Sequence, residues 1–337
     1  MQISRTRRLH RVDLAVTEIS YGGAPIGNRF TVMPESTAQE LLADAWASGV
    51  RYFDTAPMYG NGLSEHRMGH FLLGHERNDY VLSTKVGRTL VPAARGTFDS
   101  GPWFNPPPMR ADFDYSFDAA YRQVHESLHR MMTDRIDILY LHDVDPFIHG
   151  DSYPARLQES LAGAIPAMVR MRDEGIIRAV GAGVNESGAL LSLVQQADLD
   201  CLLVAGRYTL LDHANARGFM DLCQQRGISV IAGGVFNTGI LATGTTKAGR
   251  FNYGDAPAEV REQVDRLDAV CQEFGVSLPA AAIAFAGAHP AVVSVCLGAT
   301  TLAQQSSNAR AAEESIPGEF WSALRQRGLI EEWAPTP

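Results

Sequence analysis

Eight times along this chain a short apolar run gives way to a longer amphipathic one, and no other feature restricts the fold as much. The runs are "EISYGGAP", "RYFD", "DYVLSTK", "RIDILYLHD", "IIRAVGAGVN", "CLLVAG", "GISVIAGGV" and "VVSVCLGAT". Helical periodicity follows each of them. Ala120, Val124 and Leu128 share one face of a helix predicted over Phe117–Arg130. Further helices are predicted from about Leu157 to Glu174, from Ala214 to Arg226, over Ala258–Phe274 and over Leu302–Ala312. Thr37 and Glu40 have capping-box spacing, Gly49 ends that helix, Ser64 is expected to cap "SEHRMGHFLL", and Ser277 with Pro279 opens another helix. Repeated strand–helix alternation implies a parallel sheet. The nearest approach to a dinucleotide fingerprint, "YGGAPIG", lacks the required glycine spacing. The pattern therefore predicts an α/β fold of the (β/α)8 barrel type, with residues 1–337 as one domain and long loops on its C-terminal face.

Composition narrows the function. A net charge of -9 argues against a nucleic-acid partner, and no apolar run is long enough to span a membrane. Cys201, Cys223, Cys271 and Cys296 show neither CxxC nor zinc spacing, so they read as buried thiols of a cytoplasmic protein, with no metal site. Two segments break the alternation, Arg88–Asp114 and Asn237 to about Pro257. Loops of this length are expected to be functional or disordered, and both lie on the carboxyl side of strands, where barrel active sites are built.

The polar residues at the strand mouths carry the chemistry. Asp54, Lys85 and His142 end the second, third and fourth strands, and Tyr59 lies on the turn after the second. Each alone has an ordinary structural role open to it. A parallel barrel brings all four to one face. A tyrosine is a poor acid or base near neutrality, and a neighbouring ammonium favours its anion. Lys85, held charged by Asp54, is expected to lower the Tyr59 pKa, while His142 bonds a substrate oxygen. Such a set suits a reaction in which a proton and a hydride move together.

The stretches "YFDTAPMYGNGLSEHRMG", "VLSTKVG" and "IDILYLHD" resemble the signatures of the aldo-keto reductase superfamily over nearly the whole chain. The resemblance implies a barrel whose base is closed by an N-terminal hairpin within "RLHRVDLAVTEISYGG". It implies Tyr59 as proton donor or acceptor, Asp54 and Lys85 as its tuning pair, and His142 as the residue that orients the substrate oxygen. It also implies a nicotinamide dinucleotide across the barrel mouth. Asn185 matches the carboxamide-binding position, whereas Ala205 and Gly233 stand where the family has glutamine and an aromatic. Phe236 or Tyr208 then becomes the candidate nicotinamide neighbour, and Gly239 and Leu241 belong to the same cofactor segment. Gly298, Thr300, Gln304 and Asn308 match the adenosine end; with no cation there before Arg310, NAD is expected over NADP.

"GAGVNE", "AGRYTLLD" and "GGVFNTGIL" are similar to the NAD-dependent aldose 1-dehydrogenase branch, which acts on D-threo-aldoses, L-fucose and L-galactose and includes pyridoxal 4-dehydrogenase. That implies a small-molecule sugar or hemiacetal substrate oxidised to a lactone, with Trp103 and Phe104 as substrate contacts. A general aldehyde reductase and a cofactor-sensing channel subunit are the alternatives.

Overall fold

In a computed structural model, which describes every residue except 30, 246–248 and 253, the eight apolar runs form a closed barrel of parallel strands. They are β1 (Ile19–Gly22), β2 (Tyr52–Asp54), β3 (Val81–Val86), β4 (Ile138–His142), β5 (Ala179–Val184), β6 (Cys201–Ala205), β7 (Ser229–Gly233) and β8 (Val292–Leu297). Each pairs with its neighbours in chain order, and β8 closes the ring on β1.

Strand periodicity decides which side chains enter the barrel. Phe53, Leu82, Leu139, Leu141, Val180 and Leu202 face outward and pack under the helices. Tyr52, Ile138, Tyr140, Cys201, Leu203 and Ile231 fill the interior. Successive side chains alternate faces, so Asp54 shares the inner face with Tyr52, and His142 shares it with Ile138 and Tyr140. The polar residues continue the inner column of each strand at its C-terminal end.

The base is sealed by an antiparallel hairpin, Thr6–Arg8 with Ala15–Thr17. Leu9, Leu14 and Val16 from this hairpin join the interior cluster. Full burial of such side chains is worth roughly 1.5–3 kcal/mol each.

Several local expectations are corrected. The helix expected to begin at a Thr37–Glu40 capping box spans Glu35–Ala47, with Pro34 before it and no side-chain cap. Proline's fixed φ organises that start, leaving Thr37 and Glu40 inside the helix. Ser64 is not a cap either: its helix, Leu63–Leu72, starts after Gly62. Its hydroxyl instead bonds Gly23 O at 2.7 Å and Thr55 Oγ1 at 2.8 Å. The single helix expected over Leu157–Glu174 is two, Tyr153–Ala162 and Ala164–Asp173. They part at Gly163, where a Cβ would sit 2.6 Å from Tyr115 O. The segment Arg88–Asp114 is not irregular throughout, since Arg88–Pro92 pairs antiparallel with Met109–Phe113. Within the second segment, a 3-10 turn and the short helix Ile240–Thr243 precede a pairing of Arg250–Phe251 with Gly254–Asp255. Ser277 caps its helix as expected, accepting from Ala280 N. Among the described residues no single helix is long and apolar enough to cross a membrane. Cys201, Cys223 and Cys271 are buried, and Cys296 lines the cavity described next.

Candidate active site

A cavity of about 880 Å³ opens at the C-terminal end of the barrel, and Asp54, Tyr59, Lys85 and His142 all line it. The ends of β2, β3 and β4 aim three of them inward. Tyr59 arrives on a tight turn packed against the loop after β1. At Gly60, φ is +64° and a Cβ would collide with the Gly27 backbone, so only glycine lets the two loops close.

Lys85 Nζ donates to Asp54 Oδ2 at 2.7 Å and to Thr55 O at 2.7 Å. Asp54 Oδ1 accepts from Ser83 Oγ at 2.7 Å. Beneath them the Tyr52 hydroxyl lies 3.1 Å from Ser83 Oγ and 2.9 Å from the Tyr140 hydroxyl. Lys85 is 1% exposed, so the ammonium is desolvated and held by this carboxylate and carbonyl. Its pKa is raised above the ordinary value: burial acts to lower it but is outweighed by Asp54 and Tyr59.

The ammonium lies 4.6 Å from the Tyr59 ring centroid, and the Tyr59 and His142 rings meet edge to face, with centroids 5.9 Å apart. The four-residue convergence is present, but the expected acidity of Tyr59 is not. Burial pushes the phenol up to about 12; Lys85 pulls it down, and Asp54 and Asp143 push it further up. Without a ligand Tyr59 is a protonated phenol with an ammonium at its side. His142 is moved down to about 3, first by burial, with Arg88 and Lys85 acting in the same sense and Asp143 opposing. It is therefore a neutral imidazole at physiological pH. The Tyr115 hydroxyl donates to His142 O at 2.9 Å and fixes the end of β4.

The remaining expectations divide. Asn185, Gly233, Phe236, Gly239, Gly298, Thr300, Gln304 and Asn308 all line the cavity. Tyr208 does not. It is buried in the helix layer, stacked on Phe285 at 5.5 Å, so it is not a candidate neighbour of the nicotinamide. Leu241 also points away: the helix Ile240–Thr243 turns Ile240 and Leu241 into the core and Ala242 and Thr243 toward the cavity. Trp103 lines the cavity with its ring 5.6 Å from that of Tyr59. Phe104 lies outside it, 52% exposed. Its main chain serves instead, since Phe104 N donates to Asn28 O at 2.9 Å and Phe104 O accepts from Asn28 Nδ2 at 3.0 Å.

Sequence reasoning missed four charged residues here, one of them Arg29, which lines the cavity with its guanidinium 5.2 Å from the Trp103 ring centroid. Arg88 begins the hairpin after β3, and Asp143 follows His142. They form a buried ion pair of 2.8 Å beside the imidazole. The signal was an arginine three residues beyond a strand-end lysine and an aspartate touching the strand-end histidine. Arg250 lines the mouth from the segment after β7. It lies far in sequence from Gly298–Asn308, the stretch that matches the adenosine end.

The cavity suits a dinucleotide. Small residues, Ala205 and Gly233, floor its middle, and the N-terminus of the helix Leu302–Glu313, capped by Thr301, meets its far end. A helix N-terminus favours an anion, and Arg250 supplies a cation near the mouth.

Residues 18–327 match the model of the aldo/keto reductase family. The chain is 40% identical to a pyridoxal 4-dehydrogenase of Microbacterium luteolum, covering 98% of this chain and 99% of that one. It is 39% identical to a D-threo-aldose 1-dehydrogenase of a Pseudomonas species, covering 96% of each. Among solved structures, a glycerol dehydrogenase of Gluconobacter oxydans superposes with a TM-score of 0.75 at 20% identity, covering 99% of this chain and 97% of that one. The holo form of an aldo-keto reductase of Bacillus halodurans gives 0.74 at 24%, covering 97% of each. These two speak to the fold alone. With its barrel, the converging tetrad and relatives of matching length, the chain is an oxidoreductase that belongs to the aldo-keto reductase family.

Proposed function

We propose that the protein oxidises the anomeric carbon of a cyclic hemiacetal, of the aldose type, to a lactone, with NAD as hydride acceptor. The carrying observation is the Tyr59 phenol placed between the Asp54-bound Lys85 ammonium and the neutral imidazole of His142. D-threo-aldoses and pyridoxal, in the names of the two relatives, share a carbonyl that a hydroxyl of the same molecule can trap as a ring hemiacetal.

When bound, the oxidised nicotinamide supplies the hydride acceptor and a positive charge that favours the Tyr59 anion. The residues then divide the remaining work. The substrate hydroxyl sits between Tyr59 and His142. Tyr59, as phenolate, takes its proton. Lys85 stabilises that phenolate, and Asp54 keeps the ammonium in place. The His142 imidazole orients the oxygen as the C–O bond becomes C=O. Trp103, Met58 and Phe147 wall the cavity and keep water from the reacting carbon.

NAD preference rests on the far end of the cavity. Gln304 Oε1 accepts from both Thr300 N and Thr300 Oγ1 at 2.8 Å, and residues 298–308 carry no cation. A ribose phosphate there would lack charge-assisted bonds. Gln304→Arg should raise the ratio of kcat/KM with NADP to that with NAD by roughly tenfold, the yield of one hydrogen bond to a charged group. An unchanged ratio would place the adenosine ribose elsewhere.

One observation favours a second substrate class. Met58, Trp103, Phe147 and Ile148 make much of the wall apolar, which suits the flat ring of pyridoxal as well as a sugar face. The deciding experiment follows NADH formation over L-fucose, L-galactose, D-arabinose and pyridoxal, with NAD and NADP side by side. Absence of turnover with every hemiacetal, alongside NADPH-driven reduction of simple aldehydes, would replace this reading with a carbonyl reductase.

A further inference from the structure

We propose that Arg88 is a positioning residue that fixes the tautomer of His142, so that the imidazole presents an Nε2–H bond, and not a lone pair, to the substrate oxygen.

The inference rests on the reading of His142 as the residue that holds that oxygen, and it begins with donor counting. Arg88 is 4% exposed and opens the hairpin after β3. Its Nη1 lies 3.3 Å from His142 Nδ1 and donates to Asp143 Oδ2 at 2.8 Å. A guanidinium has five N–H groups, no acceptor, and stays protonated. The imidazole nitrogen facing it must therefore carry a lone pair. A neutral imidazole has one N–H, which then resides on Nε2.

The surroundings lock this choice. The Arg88 guanidinium carbon lies 4.4 Å from the Phe113 ring centroid, which sets the plane of the fork. Asp143 is the counter-charge that makes a buried guanidinium tolerable, and Arg88 and His142 hold its carboxyl below the ordinary carboxylate range although burial raises it. Asp143 reaches this position with φ at +56°, in the left-handed region that aspartate enters more readily than most residues. Its Oδ1 lies 3.5 Å from His142 Nε2, beyond a good hydrogen bond but close enough to favour a proton on that nitrogen.

The groups facing the ring come from three further directions. Tyr59 presents its ring from the loop after β2, Lys85 its ammonium from β3, and Trp103 lies behind Tyr59. None of these is hydrogen-bonded to Nδ1, whose neighbour among the described residues is the Arg88 guanidinium. A second proton on the ring would set Nδ1–H against a guanidinium N–H, which agrees with the depressed basicity of His142. Burial is the larger cause of the neutrality; Arg88 adds to it and selects the tautomer. Nothing about this pair is visible from the tetrad alone, because Arg88 belongs to the segment that covers the mouth.

The test reads the nitrogens directly. In protein labelled with ¹⁵N at histidine side chains, with His142 assigned by comparison with His142→Gln, Nδ1 should be of the lone-pair type and Nε2 of the N–H type from pH 5 to 9. Arg88→Met should let His142 populate both tautomers or take up a proton between pH 5 and 7. The kcat/KM for the hemiacetal should fall at least tenfold and gain an acid limb, while NAD affinity, read by quenching of protein fluorescence, stays near wild type. Arg88→Lys, which keeps a donor, should recover part of the activity. The proposal is overturned if wild-type Nδ1 carries the proton, or if Arg88→Met alters neither the nitrogen shifts nor the pH profile. If Arg88→Met does not fold, the wild-type spectrum decides alone. Failure of the hemiacetal reading would appear differently, as a correct tautomer in a protein that oxidises no hemiacetal.

Discussion

Tyr59→Phe should reduce kcat for hemiacetal oxidation by on the order of 10³-fold, the scale of a lost, positioned acid–base group. NAD affinity should stay near wild type, because the substitution removes one oxygen and leaves the ring packed against Trp103 and His142. A phenylalanine variant as fast as wild type would sink the assignment. The same residue sets the pH dependence. With the phenol pushed up to about 12, its anion is a small minority at neutral pH. Removing a proton from Tyr59 is therefore part of the barrier to oxidation, and the rate should climb with pH through the alkaline range. The reverse reduction uses the protonated phenol and should stay flat over that interval. Initial rates in both directions from pH 6 to 10 check the sign. An oxidation rate that levels off near pH 7 would mean another group is the base.

Lys85→Met should damage both stability and rate. The substitution leaves the Asp54 carboxylate buried with Ser83 but without its cation, at a cost of about 3–5 kcal/mol, the penalty for breaking a buried ion pair from one side. The urea midpoint measures it, and adding Asp54→Asn should return much of the loss. Because the folded-state pKa of Lys85 lies above its ordinary 10.5, its contribution to stability is fully present through the neutral range. This contribution fades only as pH rises past 10.5 toward the folded value. Wild type and variant should therefore differ by a constant amount between pH 6 and 9. For the rate, the phenol loses the only neighbour among those acting on it that draws its pKa down by both charge and hydrogen bonding. The alkaline climb should move to still higher pH, and the double variant should recover stability without recovering activity. A Lys85→Met enzyme with a wild-type pH profile would uncouple the two residues.

The barrel was legible because its signal is repeated. Eight apolar runs with amphipathic partners admit few architectures, and the inner column of each strand carries its polar residue to the same end. Asp54, Lys85 and His142 could be placed from strand ends alone, and Tyr59 from the turn that follows one. What sequence patterns did not carry was burial. The acidity of Tyr59 was read from its neighbour's charge, whereas desolvation acts more strongly and in the opposite sense. The side chains at the mouth were half legible for a related reason. Trp103 and Phe104 are adjacent, yet the turn that binds Phe104 to Asn28 sends one ring inward and the other out. Tyr208 and Leu241 show the same limit, since the direction of a loop residue depends on contacts from distant parts of the chain. Arg88 was hidden inside a segment read as irregular, where a two-stranded ribbon gives it a fixed address.

The plugged base has a kinetic consequence. Below Lys85 the column of hydroxyls, Ser83, Tyr52 and Tyr140, descends toward Leu9, Leu14 and Val16, which offer a proton nothing to bind. That column thus ends at apolar side chains. On the proposed chemistry, a proton taken by Tyr59 returns to solvent by the doorway that admits the reactants, which is filled until product departs. Release of acid to the medium should therefore trail hydride transfer and keep step with product departure, a lag that a pH-indicator dye in a stopped-flow burst would resolve.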